Sequence, residues 1–272
     1  MSKEKEDQWF IYRLGALLAI FVFVACFVGY VLLCEPTWFL QWRDAKMKEW
    51  NISNPFVSEA EVSDPSGLSE EERHIDRAAC ESLENMEVMV TMDQGLGNAV
   101  RVSSTEQCRP EVFTEIGHLK FLNALHADSV GVPDEYCAHL ANLKLAQSVV
   151  LSGNPLTSGA LVHIAQMENI SALYLANTQI DGTNLELIAA LPKIKILDLS
   201  GTNLTDADME KIAKNQTIEW LLVKNLDLSD AGARALLKMP LLRRLSILEG
   251  NQISEECRKQ MKEESPQNLQ IE

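Results

Sequence analysis

The chain has 272 residues, 46% of them hydrophobic and 23% charged, a balance that excludes a wholly disordered, collagen-like or disulfide-stapled small protein. Acidic residues outnumber basic ones, 39 against 24, and the net charge of −15 opposes the phosphate neutralisation that nucleic-acid binding requires. The acidity is local: Asn51 to Asn98 holds eleven acids and two arginines, whereas residues 1–50 sum to zero. Six scattered cysteines without a CxxC pair argue against both a disulfide framework and a zinc site.

After a short tail, residues 1–13, the stretch Leu14 to Leu33 reads LGALLAIFVFVACFVGYVLL, twenty residues without a charge. At a rise of about 1.5 Å per residue this matches the ~30 Å hydrocarbon core of a bilayer, so the pattern predicts one transmembrane helix over residues 14–34. Trp9 and Tyr12 precede it and Trp38, Phe39 and Trp42 come after it, where amphipathic rings settle at the lipid headgroups. The run exceeds the ~7–15 residues of a signal-peptide core and lacks a small-x-small site at its end, so it reads as an uncleaved, single-pass anchor. Three basic residues on each side give no charge asymmetry; a short leader before a signal-anchor favours the extracytoplasmic side for the repeat domain.

Residues 35–68 comprise an interfacial segment, with Trp38, Phe39 and Trp42 toward lipid, and an acidic linker rich in Pro and Ser. Residues 69–97 read as an N-terminal capping helix and strand. Ser69-Glu70-Glu71-Glu72 resembles a capping box, with Ile75, Ala79 and Leu83 behind it at near-helical spacing. Alternation through Met86, Val88, Val90 and Met92, a turn at Gly95 to Asn98, and Ala99 to Val102 suggest a hairpin that closes the first layer of a repeat array.

Residues 98–272 carry the strongest signal, a period of 24. One column reads Leu125, Val149, Leu173, Leu197, Leu221, Leu245 and Leu269, and two residues on another reads Ala127, Leu151, Leu175, Leu199, Val223, Ile247 and Ile271. Further apolar columns run through Val132, Leu156 and Ile180; Cys137, Leu161 and Leu185; Ile116, Leu140 and Ile164; and Leu119, Leu143 and Met167. Each unit is a short LxL strand, a turn, and a helix that begins near Thr157, Asp181, Thr205, Ser229 or Ser254, side chains able to accept from free helix N–H groups. About seven such units stack as a parallel sheet with helices on the other side, an α/β solenoid.

The runs IKILDLSGTNLTDADMEKIAK (Ile194 to Lys214) and ISALYLANTQIDGTNLELIAAL (Ile170 to Leu191) resemble leucine-rich repeats of the ribonuclease-inhibitor-like, strand-plus-helix kind. The Asn or Cys that such repeats carry after LxL stands as Asn154, but Thr178, Thr202 and Leu226 occupy the equivalent positions, and Leu226 cannot bond the turn. The resemblance implies a curved solenoid whose concave sheet binds a protein partner; it implies no activity.

No phosphate loop, GxSxG elbow or HExxH motif occurs, and no cofactor or metal is expected. His139 and His163 lie one period apart without a carboxylate set, and His126 stands beside Asp128 with no nucleophile. Cys108 and Cys137 fall in apolar columns as small hydrophobes, and the four Asn-x-Ser/Thr sequons, at Asn51, Asn169, Asn203 and Asn215, read as chance. The chain is thus expected to be a membrane-anchored, non-enzymatic interaction module, receptor or scaffold. The alternative is a membrane-tethered regulatory subunit or a hydrolase-like enzyme. If the LxL residues face the core, those before, between and after them form the working surface: Val150, Tyr174, Ile196, Trp220 and Leu222 near one another, with Asp198, Lys224 and Arg244 among or beside them. The expected partners are a protein on that face and the bilayer through residues 14–33, with no nucleic acid; nothing in the pattern fixes an oligomeric state.

Overall fold

A computed structural model describes residues 69–93, 96–264 and 269–272. The chain divides into two units, Met1–Asp64 and Pro65–Glu272, and the described residues all belong to the second. The expected anchor at 14–34 and its aromatic flanks Trp9, Tyr12, Trp38, Phe39 and Trp42 lie outside the described residues. Among those described, no helix is long and apolar enough to cross a membrane.

The array begins with helix α1 (Glu70–Asn85), started by a capping box. Glu72 reaches back to the Ser69 amide at 2.8 Å while the Ser69 hydroxyl accepts from the Glu72 amide at 3.2 Å, satisfying two of the free donors of the first turn. Its buried stripe is Asp76, Ala79, Cys80 and Leu83, and Ile75, expected inside, is 41% exposed. The stripe follows i, i+3, i+4, i+7 from Asp76, whose carboxylate is accommodated because it accepts from the Phe121 amide at 3.3 Å.

Strands β1 (Met89–Asp93) and β2 (Leu96–Arg101) form the expected antiparallel hairpin. The second strand starts at Leu96, not at Ala99: Leu96 already pairs with Asp93, and an irregularity between Thr91 and Met92 absorbs the change of register.

From β2 onward the sheet is parallel. After helix α2 (Pro110–His118) come β3 (Ala124–His126), α3 (Asp134–Leu140), β4 (Ser148–Val150), α4 (Leu161–Ile164), β5 (Ala172–Tyr174) and α5 (Leu185–Ala189). They continue as β6 (Ile196–Asp198), α6 (Asp206–Ile212), β7 (Trp220–Leu222), α7 (Asp230–Leu236), β8 (Arg244–Ser246), α8 (Glu255–Glu264) and β9 (Gln270–Ile271). Among the described residues the strands form one sheet in strict sequence order, as stacking of successive units requires.

Leu125, Val149, Leu173, Leu197, Leu221 and Leu245 are paired strand to strand and fully buried, forming one continuous core with the helix columns. The last unit departs from the period. Leu245 pairs with Ile271, so Ile271 takes the column place expected for Leu269.

The turns after the strands explain how units lock together. Asn154 is buried; its Oδ1 accepts from the amides of Val130, Gly131 and Val132, and its Nδ2 donates to the carbonyls of Ala127 and Leu151. Thr178 and Thr202 each donate one hydroxyl bond, to Leu175 and Leu199. Leu226 bonds nothing through its side chain, yet its turn is not left open, because Asn251 from the next unit accepts from the Leu226 and Leu228 amides and donates to Val223 and Ile247. Asn251 is therefore a second turn asparagine, displaced from the expected register by the extra residue in Leu248-Glu249-Gly250.

A second periodicity, of two units, appears at the left-handed position of these turns. Ser129, Asn177 and Asn225 alternate with Gly153, Gly201 and Gly250, all at positive φ. A Cβ at Gly201 would lie 2.4 Å from Asn177 Oδ1, so each polar side chain occupies the space that the next unit's glycine leaves.

The expected caps act across units as well as within them. Ser229 accepts from the Ala231 amide at 3.2 Å and donates to Asp206 at 2.6 Å, and Ser254 accepts from Cys257 and donates to Asp230 in the same way. Helices begin directly after Thr205, Ser229 and Ser254, but α4 and α5 start only at Leu161 and Leu185. In those two units Ser158-Gly159 and Gly182-Thr183 follow the cap, poor helix formers that delay the first turn.

Candidate functional site

Each strand from β3 to β7 is buried at its centre and partly exposed at its two flanks, as a sheet with one face on a core must be. Pairing register sorts the outward residues into two rows. The first runs Ala124, Ser148, Ala172, Ile196, Trp220, Arg244 and Gln270, and the second His126, Val150, Tyr174, Asp198, Leu222 and Ser246.

Val150 and Tyr174 are thus direct neighbours in the second row, followed by Asp198 and Leu222; Ile196, Trp220 and Arg244 are neighbours in the first. Lys224 lies two residues beyond Leu222, past the strand end. All eight are half-buried, while Ser246, outward by register, is covered.

The rear of the first row has the most developed geometry. The Arg244 guanidinium sits 4.6 Å from the Trp220 ring centroid, a cation–π contact, and donates to Gln270 Oε1 at 3.4 Å. A depression of about 400 Å³ opens there, lined by Lys195, Ile196, Glu219, Trp220, Arg243, Arg244 and Gln270. Glu219 pairs with Lys195 at 3.3 Å and with Arg243 at 3.8 Å. Beyond the strand ends Lys224 pairs with Glu249 at 3.0 Å, and Asp198 accepts from the Ser200 amide at 3.0 Å, which holds its carboxylate against the backbone.

At the front of the face His126 is half-buried beside Arg101 in a smaller hollow of about 150 Å³. Burial lowers its pKa, the Arg101 charge lowers it further and Asp128 opposes them, so a neutral imidazole is favoured. Among the described residues no group of three or more His, Cys, Asp or Glu side chains could hold a metal ion; His139 and His163 stand on α3 and α4 without such a set.

Cys137 is buried, and desolvation, with Asp134 nearby, pushes the thiol up to about 12; Cys108 is half-buried and raised by desolvation. Neither is a nucleophile at neutral pH. Of the sequons, Asn215 is buried and bonded to Ala189, Thr217 and Ile218, Asn169 bonds Lys144 and Lys193, and Asn203 is exposed.

The fold is an α/β repeat solenoid like that of leucine-rich repeat proteins. No family model matches the chain, and no curated protein matches it. Solved structures similar to it include a pollen receptor kinase, 16% identical with a TM-score of 0.43 over 67% of this chain and 84% of that one. An internalin from Listeria monocytogenes is 19% identical with a TM-score of 0.42, covering 58% of this chain and only 49% of its own length. Internalin C2 from the same organism is 19% identical with a TM-score of 0.40, over 66% and 85% of the two chains. What shows the solenoid is the strand register and the 24-residue columns themselves.

Sequence reasoning did not find two features of this face, the pairing of Arg244 with Trp220 and the three-charge group at Glu219. Both depend on residues one strand apart, a relation that the 24-residue offset encodes but that must be read on the outward positions. Applied there, the same offset aligns Ile196, Trp220 and Arg244, and Lys195, Glu219 and Arg243.

Proposed function

We propose that the chain is a membrane-tethered, non-enzymatic interaction module. Residues 14–33 anchor it in the bilayer, and a protein partner binds the outer, concave face of the repeat sheet. The observation that supports this reading most is the rear of that face, where Ile196, Trp220 and Arg244 stand side by side and half-buried beside Tyr174 and Leu222. Binding energy at protein interfaces concentrates in a few Trp, Tyr and Arg residues set in apolar surroundings, and this cluster has that composition. That composition is what supports recognition as the role of this face.

The test is crosslinking in intact membranes, with the wild type compared with the Tyr174→Ala, Trp220→Ala double variant. The double variant is expected to lose about 2 kcal/mol or more of partner affinity, roughly thirtyfold, at an unchanged melting temperature. Undiminished capture would move the working surface to the helical side or to the acidic linker. Carbonate extraction tests the anchor: release of the full-length chain into the soluble fraction would remove it.

A further inference from the structure

The rear depression has a chemistry opposite to that of the chain as a whole. On a protein with a net charge of −15, its walls bring Lys195, Arg243 and Arg244 together around a single carboxylate, Glu219. Lys195 and Arg243 each pair with that carboxylate, at 3.3 and 3.8 Å, and both extend largely into solvent. Arg244 forms no ion pair among the described residues: its guanidinium lies over Trp220 and reaches Gln270 only at 3.4 Å. The Trp220 Nε1 atom is buried and has no hydrogen-bond partner among the described residues. At the rear of the face the half-buried Arg244 cation is therefore left without a carboxylate partner among the described residues, and a charge-assisted bond to one supplied from outside is of the strong kind.

The floor beside it is apolar, Ile196 and the Trp220 ring, and the hollow is many times the size of a carboxylate. A second hollow of about 550 Å³ shares Lys195 and Glu219 among its lining residues and adds another cation, Lys193. The shape leaves room for a large side chain next to the anion and for a chain running on along the strand starts.

On this basis, and resting on the interaction reading above, we infer that the rear depression takes an acidic segment of the partner protein. An Asp or Glu carboxylate of that segment pairs with Arg244, and an adjoining aromatic or large aliphatic side chain packs on Ile196 and Trp220. The guanidinium, held over the indole at 4.6 Å, has a planar fork of N–H groups that can pair with both oxygens of a carboxylate, and the cation–π contact restricts the arginine before the anion arrives. The excess of positive charge draws an acidic segment and repels a basic one, which gives selectivity as well as encounter rate. A nucleic-acid strand fits less well, because one stacking ring with few cations on a strongly acidic chain does not replace the many phosphate contacts such binding uses.

The experiment uses the full-length chain in lipid nanodiscs, with tryptophan labelled by ¹⁵N and the Trp220 indole signal assigned through Trp220→Phe. The probes are acetyl-Phe-Glu-amide, its uncharged isostere acetyl-Phe-Gln-amide, acetyl-Ala-Glu-amide and inorganic phosphate, each titrated to about 20 mM. The Phe-Glu peptide is expected to shift the Trp220 signal saturably, with the Phe-Gln and Ala-Glu peptides each at least about tenfold weaker. Arg244→Gln should reduce the Phe-Glu peptide to the level of its isostere, while Arg244→Lys keeps part of the difference.

No saturable shift, equal binding of the Phe-Glu and Phe-Gln peptides, or equal binding by Arg244→Gln would overturn the assignment. Phosphate acting as strongly as the Phe-Glu peptide would also overturn it, leaving a plain anion site. Should Arg244→Gln fail to fold, the comparison of probes on the wild type decides alone. A failed titration beside a Trp220 variant that still loses capture in membranes would refute the acidic segment and leave the binding face standing.

Discussion

The two faces of the same strands follow different rules. Inward, β3 to β8 present Leu125, Val149, Leu173, Leu197, Leu221 and Leu245, nearly one residue type throughout and fully buried. Outward, the first row passes from Ala124, Ser148 and Ala172 to Ile196, Trp220 and Arg244, and the second from His126 through Tyr174 to Asp198 and Leu222. Every unit must fill the same space against its neighbours, so the inner position admits little besides leucine. No such demand acts on the outer position, which varies from strand to strand, and in the first row the large side chains Ile196, Trp220 and Arg244 gather at the rear. Uniformity marks what the stack needs, and local concentration marks where something else is met.

The largest expected effect tests the inner rule against the outer one on a single strand. Leu197→Asp buries an unpaired carboxylate at the middle of the stack and should cost on the order of 4 kcal/mol or abolish cooperative folding. Ile196→Asp, one residue away on the outer face, should cost less than about 1 kcal/mol. Urea unfolding of the full chain in detergent, followed by circular dichroism, measures both. Similar losses in the two variants would mean that the faces are not distinct.

Next comes the contrast between the two turn asparagines. Asn154 is buried and serves three amides and two carbonyls, so Asn154→Ala leaves buried groups unpaired and should destabilise by about 3 kcal/mol. Asn251 is half-buried and serves two amides and two carbonyls, so Asn251→Ala should cost about half as much. The reverse order, read from unfolding midpoints, would show that the rear turns depend on their asparagine more than the front ones do.

The two asparagines also show what the sequence made legible. The apolar columns stand out because every unit repeats them, and they suffice for strand order, register and the buried face. Asn251 escaped because one extra residue in its turn shifts it out of the column, and Leu226 looked like a defect because its compensating partner lies in the next unit. Asp76 was hidden for another reason: it accepts from the Phe121 amide, far along the chain, a contact that no local spacing reveals. The outward positions of the candidate site followed from the register, but the ring under Arg244 and the cations around Glu219 appear only when outer residues are compared between adjacent strands.

The alternation of glycine with Ser or Asn in the turns allows a finer comparison. Gly201→Ala meets Asn177 Oδ1 at 2.4 Å and also strains a φ of +65°, whereas Gly131, at +91°, has open space around it. Both substitutions carry the left-handed penalty of about 1 kcal/mol, and the crowded one should cost about 1 kcal/mol more. Asn177→Ala should restore that second part when combined with Gly201→Ala. An additive double variant would mean that the two-unit alternation is not a packing relation.

The smallest expected effect lies in the caps and appears only in acid. Asp181 accepts from the Ser158 hydroxyl at 2.7 Å and from the Thr183 amide at 2.9 Å, and these bonds, the hydroxyl first, lower its pKa below the ordinary aspartate value. A folded pKa below the unfolded one means that the unfolded chain binds the proton more readily. The stabilisation is then complete above the unfolded value and is lost as pH falls through the folded one. Asp181→Asn removes this titration, so wild type and variant should differ most near neutral pH and converge as pH drops from about 5 toward 2. The acid limb persists in the variant, because three other cap carboxylates are lowered in the same direction: Glu72, bonded by Ser69; Asp208, where burial is outweighed by bonds from Thr205 and by Lys211; and Asp230, bonded by Ser254. Asp181 is an exposed residue, so screening keeps the gap small, and urea midpoints at closely spaced pH values are needed to see it. Parallel curves across the whole range would show that the cap between these two units does not discriminate the charged carboxyl from the neutral one.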